Sequence, residues 1–118
     1  MNYDFLNEGD FLVIRLSGTA GVNERLSVKE HLAPQLRNYP QKVIVDLGEL
    51  DDTGGVYLLG VLNAIKKEFE LLGGRVKLSS MKPELFRFFE ENRLDQIFDV
   101  GQSVEQTKST FKEANYDG

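Results

Sequence analysis

Residues 43–56 read VIVDLGELDDTGGV, in which a run of β-forming residues leads into an acidic turn and then into a helical pattern. Four of the first five residues are valine, isoleucine or leucine. This run predicts a central strand covered on both faces, because a half-exposed strand would alternate polar and apolar residues. Partner and ligand sites in open α/β sheets lie beyond the carboxyl ends of such strands, so the turn after Leu50 is the predicted functional site.

The turn offers several residues that are suited to starting a helix. Asp51, Asp52 and Thr53 each carry a side-chain oxygen that can accept a hydrogen bond from the free backbone N–H groups of a first helical turn. Two glycines follow and allow the backbone to turn tightly. We therefore predict a helix that starts near Gly54 or Gly55 and displays a capping hydroxyl.

Length and composition predict one domain over residues 1–118, with a frayed tail at residues 113–118. The absence of cysteine excludes disulfides and thiolate metal sites, and it is compatible with a reducing compartment. The first ten residues carry three acids and no signal-peptide pattern, and no apolar run approaches the ~20 residues of a membrane span, so we expect a cytoplasmic protein. A net charge of −5 argues against nucleic-acid binding.

Two strands and a helix are predicted before the central strand. Tyr3–Leu6 and Phe11–Leu16 form a hairpin around the turn at residues 7–10, and the second strand ends at Ser17-Gly18. A helix follows from its cap at Asn23. Pro34 either kinks that helix or restarts it, because proline removes a ladder hydrogen bond and clashes with the preceding turn.

Helices and strands alternate after the turn. The core helix has an apolar face, ends at Gly73-Gly74, and is followed by an alternating strand at residues 75–79. Pro83 opens a helix over residues 84–92, and a short apolar return and a final helix complete the chain. The residues predicted to be buried are Leu58, Leu62, Ile65, Phe69 and Leu72 on the core helix and Leu85, Phe88 and Phe89 on the next, and the final helix is marked by the spacing of Val104, Thr107, Lys108 and Phe111.

This order predicts an α/β fold with a small mixed sheet of four or five strands and about four helices. The later strands are expected to be parallel, with the helices mainly on one face of the sheet or split unevenly between its two faces. Phe86, Phe88 and Phe89 cannot share one helix face, so at least one phenylalanine is expected to be exposed.

Several blocks, in this order and spacing, resemble STAS domains, the fold of the bacterial anti-sigma factor antagonists. They are the strand Phe11 to Gly18, the block Val43 to Leu50, the Asp52-Thr53-Gly54-Gly55 turn where that family commonly has Asp-Ser-Ser-Gly, the Gly73-Gly74 pair, and RLDQIF at residues 93–98. The resemblance implies a single STAS-like domain without a cofactor or metal. It implies a protein that binds an anti-sigma factor with kinase activity, and no direct binding to nucleic acid or insertion into a membrane.

In that family the first hydroxyl after the aspartate is phosphorylated by the anti-sigma kinase, and Thr53 matches it here. A phosphate would add roughly −1.5 to −2 charges at a helix start, where free N–H groups and the helix dipole tolerate it. The resemblance implies a partner-binding surface made of Asp51, Asp52, Thr53, Gly54, Gly55 and Tyr57.

Two alternatives stay open within the same fold. The interval from Leu50 to Asp52 is about two residues shorter than is usual in the family, and an ungapped alignment places a glycine at the acceptor position, as in a relative that is not phosphorylated. The turn, followed by residues 56–59 (VYLL), is also similar to STAS subunits of lipid-transport ABC systems, which bind the ATPase subunit.

An enzyme or nucleotide-binding domain is disfavoured. Carboxylates at a helix start are stabilised as anions and are weak bases for a threonine nucleophile, and His31 lies on another predicted helix. Asp46, Glu49, Asp51 and Asp52 are a possible Mg²⁺ set, although capping and solubility explain them as well. Neither glycine pair is followed by the lysine and hydroxyl residue of a phosphate-binding loop.

Overall fold

The computed structural model describes residues 1–38, 42–51 and 55–115. Within these residues the elements alternate along the chain as predicted. They are β1 (Asn2–Glu8), β2 (Phe11–Gly18), α1 (Glu24–Ser27), a π-helical segment (Val28–Leu32), α2 (Ala33–Leu36), β3 (Lys42–Leu50), α3 (Val56–Leu71), β4 (Arg75–Ser79), α4 (Pro83–Glu91), a 3₁₀ turn (Leu94–Gln96), β5 (Asp99–Gly101) and α5 (Val104–Asn115).

The five strands form one mixed sheet in the order β1-β2-β3-β4-β5, which confirms the predicted fold class. β1 and β2 form the expected antiparallel hairpin, with Glu8 opposite Phe11, and all later pairs are parallel. Because strand order follows chain order from β2 onward, right-handed crossovers place the connecting helices on the same face. The central strand, β3, is buried along almost its whole length, as its composition predicts.

The main core lies between that face and the connecting helices. Alternate residues of β2, β3 and β4 pack against α3, the π-helical segment and α4. The strand residues in this core are Leu12, Ile14 and Leu16 on β2, Val43, Val45 and Leu47 on β3, and Val76 and Leu78 on β4. α3 contributes Leu58, Leu62, Ile65 and Phe69, which confirms its predicted face, whereas Leu72 is 42% exposed just beyond the helix.

The opposite face of the sheet is covered in part by α5. Phe111 packs edge-on against Phe11, with ring centroids 5.5 Å apart, and both contact Ile44 in a second, smaller core. This cover changes one expectation, because β4 is buried on both faces rather than alternating. Lys77 is only 8% exposed, and its ammonium donates to Thr110 Oγ1 at 2.8 Å and lies over the Phe111 ring.

The helical segment from Glu24 to Leu36 has three parts. Asn23 occupies the predicted cap position, but its side chain makes no capping hydrogen bond. The π-helical turn comes next, and α2 restarts the helix with Pro34 in its first turn, which is one of the two predicted outcomes. The wider π turn precedes a residue that cannot donate a backbone hydrogen bond, which is consistent with the constraint that proline imposes.

The remaining helices mostly follow the sequence pattern. In α4, Leu85 and Phe89 are buried, Phe88 is partly buried, and Phe86 is 43% exposed, so the expected exposed phenylalanine is Phe86. The tail predicted to fray is helical as far as Asn115, and residues 116–118 lie outside the described part of the chain.

Candidate functional site

The carboxyl end of β3 is shaped by an irregularity in its pairing with β2. Arg15 pairs with Asp46 and Ser17 with Glu49, so β3 has one residue more than β2 between these pairs, as in a β-bulge. Asp46 Oδ1 accepts a hydrogen bond from the Gly48 N–H at 3.0 Å. A Cβ at residue 48 would lie 3.2 Å from that oxygen, so glycine fits this turn of the strand.

Two hydrogen bonds fix the last residues of β3. The N–H of Asp51 donates to the carbonyl of Gly18 at 3.0 Å, which ties the strand end to the end of β2. From the other side, the ammonium of Lys82 donates to the carbonyl of Leu50 at 2.8 Å. The start of the turn is therefore held between the end of β2 and Lys82, the residue before α4.

The start of α3 agrees with the prediction of a helix that begins near Gly54 or Gly55, but its cap residue carries no side chain. The helix begins at Val56, and its N-cap residue is Gly55, with φ 119° and ψ 169°. This region of backbone conformation is essentially restricted to glycine. Asp51 lies four residues before this N-cap, so its predicted capping role is wrong. Asp52, Thr53 and Gly54, on which the rest of that prediction depends, lie outside the described residues.

The described members of the predicted partner surface lie together at the carboxyl edge of the sheet. Asp51 is exposed, Gly55 is the N-cap of α3, and Tyr57 is 49% exposed in the first helical turn. Sequence reasoning missed Val56, which is 75% exposed. The exposure of Val56 could have been predicted from helical periodicity, because this residue falls on the side of the helix opposite the apolar face.

The acidic and imidazole side chains of the described residues do not form a metal-binding cluster at this edge. The Asp46 carboxylate pairs with Arg15, with Nε 3.2 Å from Oδ2, and residues 1–38, 42–51 and 55–115 contain no cluster of three His, Asp or Glu side chains that could hold a metal ion. His31 lines a separate cavity of about 200 Å³ beside Tyr3 and Phe5 of β1.

The family model of the STAS domain matches residues 3–113. The chain belongs to the STAS domain family. Among related sequences, this STAS protein is similar to BtrV of Bordetella bronchiseptica, whose name describes it as an anti-sigma factor antagonist. The two are 29% identical over 103 residues, which cover 87% of this chain and 88% of BtrV.

Solved structures resemble this STAS protein along almost the whole chain. A serine-to-glutamate variant of RsbS from Moorella thermoacetica has a TM-score of 0.72 and 20% identity, with 97% of each chain covered. The Bacillus cell fate determinant SpoIIAA in its phosphorylated form has a TM-score of 0.59 and 16% identity, with 92% of this chain and 99% of that chain covered. At these identities the likeness shows the fold. In the described part of this STAS protein, no helix is long and apolar enough to cross a membrane.

Proposed function

We propose that this STAS protein is an anti-sigma factor antagonist, a cytoplasmic protein that binds an anti-sigma factor through the turn between β3 and α3. The observation that carries the proposal is the exposure of Val56 (75%) and Tyr57 (49%) in the first turn of α3, beside the acidic turn. Tyrosine is enriched among the residues that contribute most of the binding energy at protein interfaces. The exposed Val56 beside Tyr57 extends the apolar surface next to it. The similarity to BtrV supports the choice of partner.

We further propose that phosphorylation of Thr53 by the partner kinase releases the complex, and that the protein itself catalyses no reaction. Thr53 is three residues before Val56 in the chain, a separation that spans at most about 11 Å. A phosphate there would place roughly −1.5 to −2 charges close to the anchors, beside Asp51 and Asp52. A docked partner would have to desolvate that dianion, so its affinity would fall.

The binding test uses the anti-sigma factors encoded in the same genome, each purified and titrated against this protein by calorimetry. One of them should bind the wild type and Thr53→Ala with similar affinity, and Thr53→Asp about a hundredfold more weakly, a loss equivalent to about 3 kcal/mol. Ser109→Asp is the matched control, because Ser109 is exposed on α5. Full binding of Thr53→Asp would refute the switch.

The phosphorylation test incubates the wild type and Thr53→Ala with the binding kinase and ATP. Intact-mass measurement should show one added phosphate on the wild type and none on Thr53→Ala. Labelling of Thr53→Ala would refute the assignment of the site. If no anti-sigma factor binds and a transporter ATPase subunit does, the protein is instead an ABC-system adaptor, and the proposed function is wrong.

A further inference from the structure

A groove between α1 and α3 continues from the exposed first turn of α3 along the helix. Its first part has a volume of about 410 Å³ and is lined by apolar side chains that include Val22, Leu26, Val56 and Tyr57. Its second part, of about 250 Å³, extends as far along α3 as Lys67 and Glu68. Arg25, Lys29 and Gly60 line both parts, so the two form one groove.

The groove has the dimensions of a short helix. From Val56 to Lys67 α3 advances by about 17 Å, or about three turns. Gly60 and Ala64 present little side chain on this side of α3 and leave the groove open. The apolar end contains exposed side chains on both walls. Val22 is 68% and Leu26 53% exposed on the α1 side, and Val56 is 75% and Tyr57 49% exposed on the α3 side. An amphipathic helix binds in such a groove by inserting residues spaced three and four apart.

The charge of the groove is opposite to that of the protein. Arg25, Lys29 and Lys67 line it with Glu68, a local net charge of +2 on a chain whose net charge is −5. Within the described part of the chain, none of these three cations forms an ion pair. Their charges are therefore free to pair with carboxylates on a partner.

We infer that the groove binds one acidic amphipathic helix of the anti-sigma factor. The inference rests on the proposed function and deepens it, because the groove is continuous with Tyr57 of the proposed partner surface. The apolar stripe of the partner helix packs against Leu26, Val56 and Tyr57, and its carboxylates pair with Arg25 and Lys29. A docked helix of this kind extends the contact from the turn along three turns of α3.

The test measures the affinity of the purified anti-sigma factor at low and moderate salt for Arg25→Glu, Lys29→Glu and the control Arg87→Glu. Arg87 is an exposed cation on α4 that does not line the groove, and its reversal changes net charge equally. Each groove variant should weaken binding about tenfold at low salt and reduce its salt dependence, while Arg87→Glu stays within about twofold. Thermal unfolding checks that each variant is folded.

A photo-cross-linking amino acid at Asn63, an exposed lining residue, locates the occupant. Cross-links in the complex should map to a single acidic helical segment of the anti-sigma factor. Cross-links to a second copy of this chain or to a basic segment, or equal effects of all three charge reversals, would overturn the inference. If the wild type binds no anti-sigma factor, the proposed function fails and this inference fails with it. If the wild type binds the anti-sigma factor and the groove variants bind it equally well, the inference is overturned and the proposed function stands.

Discussion

Gly55→Ala and Gly60→Ala should change stability in opposite directions, although both replacements add one methyl group to α3 or its cap. Among the described residues, nothing lies within 4 Å of a Cβ built at Gly55, so these residues add no steric penalty. The expected loss of stability comes from the backbone, because φ at residue 55 is 119° and holding a non-glycine residue in that region costs about 1–3 kcal/mol. We therefore expect Gly55→Ala to lower the free energy of unfolding by that amount.

Gly60 lies inside α3, where alanine is the better helix former by about 0.8–1.0 kcal/mol. A Cβ at Gly60 would lie 3.4 Å from Cδ of Arg25, a flexible side chain that can move slightly. Allowing for this contact, Gly60→Ala should raise the free energy of unfolding by about 0.5–1 kcal/mol.

Urea unfolding followed by circular dichroism measures both changes. With a slope of about 2 kcal/mol per molar urea, Gly55→Ala should lower the urea midpoint by about 0.5–1.5 M, and Gly60→Ala should raise it by about 0.3–0.5 M. An unchanged slope would show that only stability differs. If Gly55→Ala stays within about 0.5 kcal/mol of the wild type, α3 does not start at Gly55 in the assigned conformation, and the reasoning is refuted.

Three further predictions concern the core, the hairpin and the bulge. Phe69→Ala should lower the free energy of unfolding by about 3–5 kcal/mol because Phe69 is fully buried, whereas Leu71→Ala, at a residue 71% exposed, should stay within about 0.5 kcal/mol, both measured in urea. Burial and the Glu24 carboxylate raise the pKa of Tyr3, so the folded state holds the phenol proton more tightly than the unfolded state does. The free energy of unfolding should therefore fall as pH rises above about 10, and it should fall less in Tyr3→Phe. If the wild type and Tyr3→Phe lose stability equally between pH 8 and about 11, this prediction is contradicted. Asp46→Asn should lower the free energy of unfolding by about 1–2 kcal/mol, because the Asp46 carboxylate accepts hydrogen bonds from Arg15 and from the Gly48 N–H. An unchanged urea midpoint would show that the bulge does not need the charge.

The fold could be predicted because its elements are encoded in local patterns. The apolar run of β3 requires cover on both faces, and the three-and-four spacing from Leu58 to Phe69 requires one buried helix face. Pro34 marked a helix boundary because its effect on the backbone does not depend on the rest of the molecule. Each of these signals depends only on residues that are close in the sequence, so it can be recognised without the structure.

The predictions that were wrong depended on contacts between distant residues. Lys77 reads as the exposed member of an alternating strand, but α5, about thirty residues later, covers it with Thr110 and Phe111. Asp51 was a predicted cap of α3 because its side-chain oxygen is of a kind that caps helices well. The chain instead uses Gly55, after β3 has already been tied to its neighbours at Leu50 and Asp51.

The contacts that flank the turn explain why a charge change at Thr53 should alter binding without unfolding the protein. On one side, Leu50 and Asp51 are held by hydrogen bonds from Lys82 and to Gly18. On the other, the N–H of Leu59 donates to the Gly55 carbonyl at 3.1 Å and Leu58 is 1% exposed, so the first turn of α3 is fixed in the core. Because these contacts hold the residues on both sides of the turn, Thr53→Asp should leave the thermal midpoint within about 2–3 °C of the wild type, which corresponds to about 0.5 kcal/mol. A larger drop in a thermal scan would show that weaker binding by Thr53→Asp comes from a damaged fold, and the switch would then lack its physical basis.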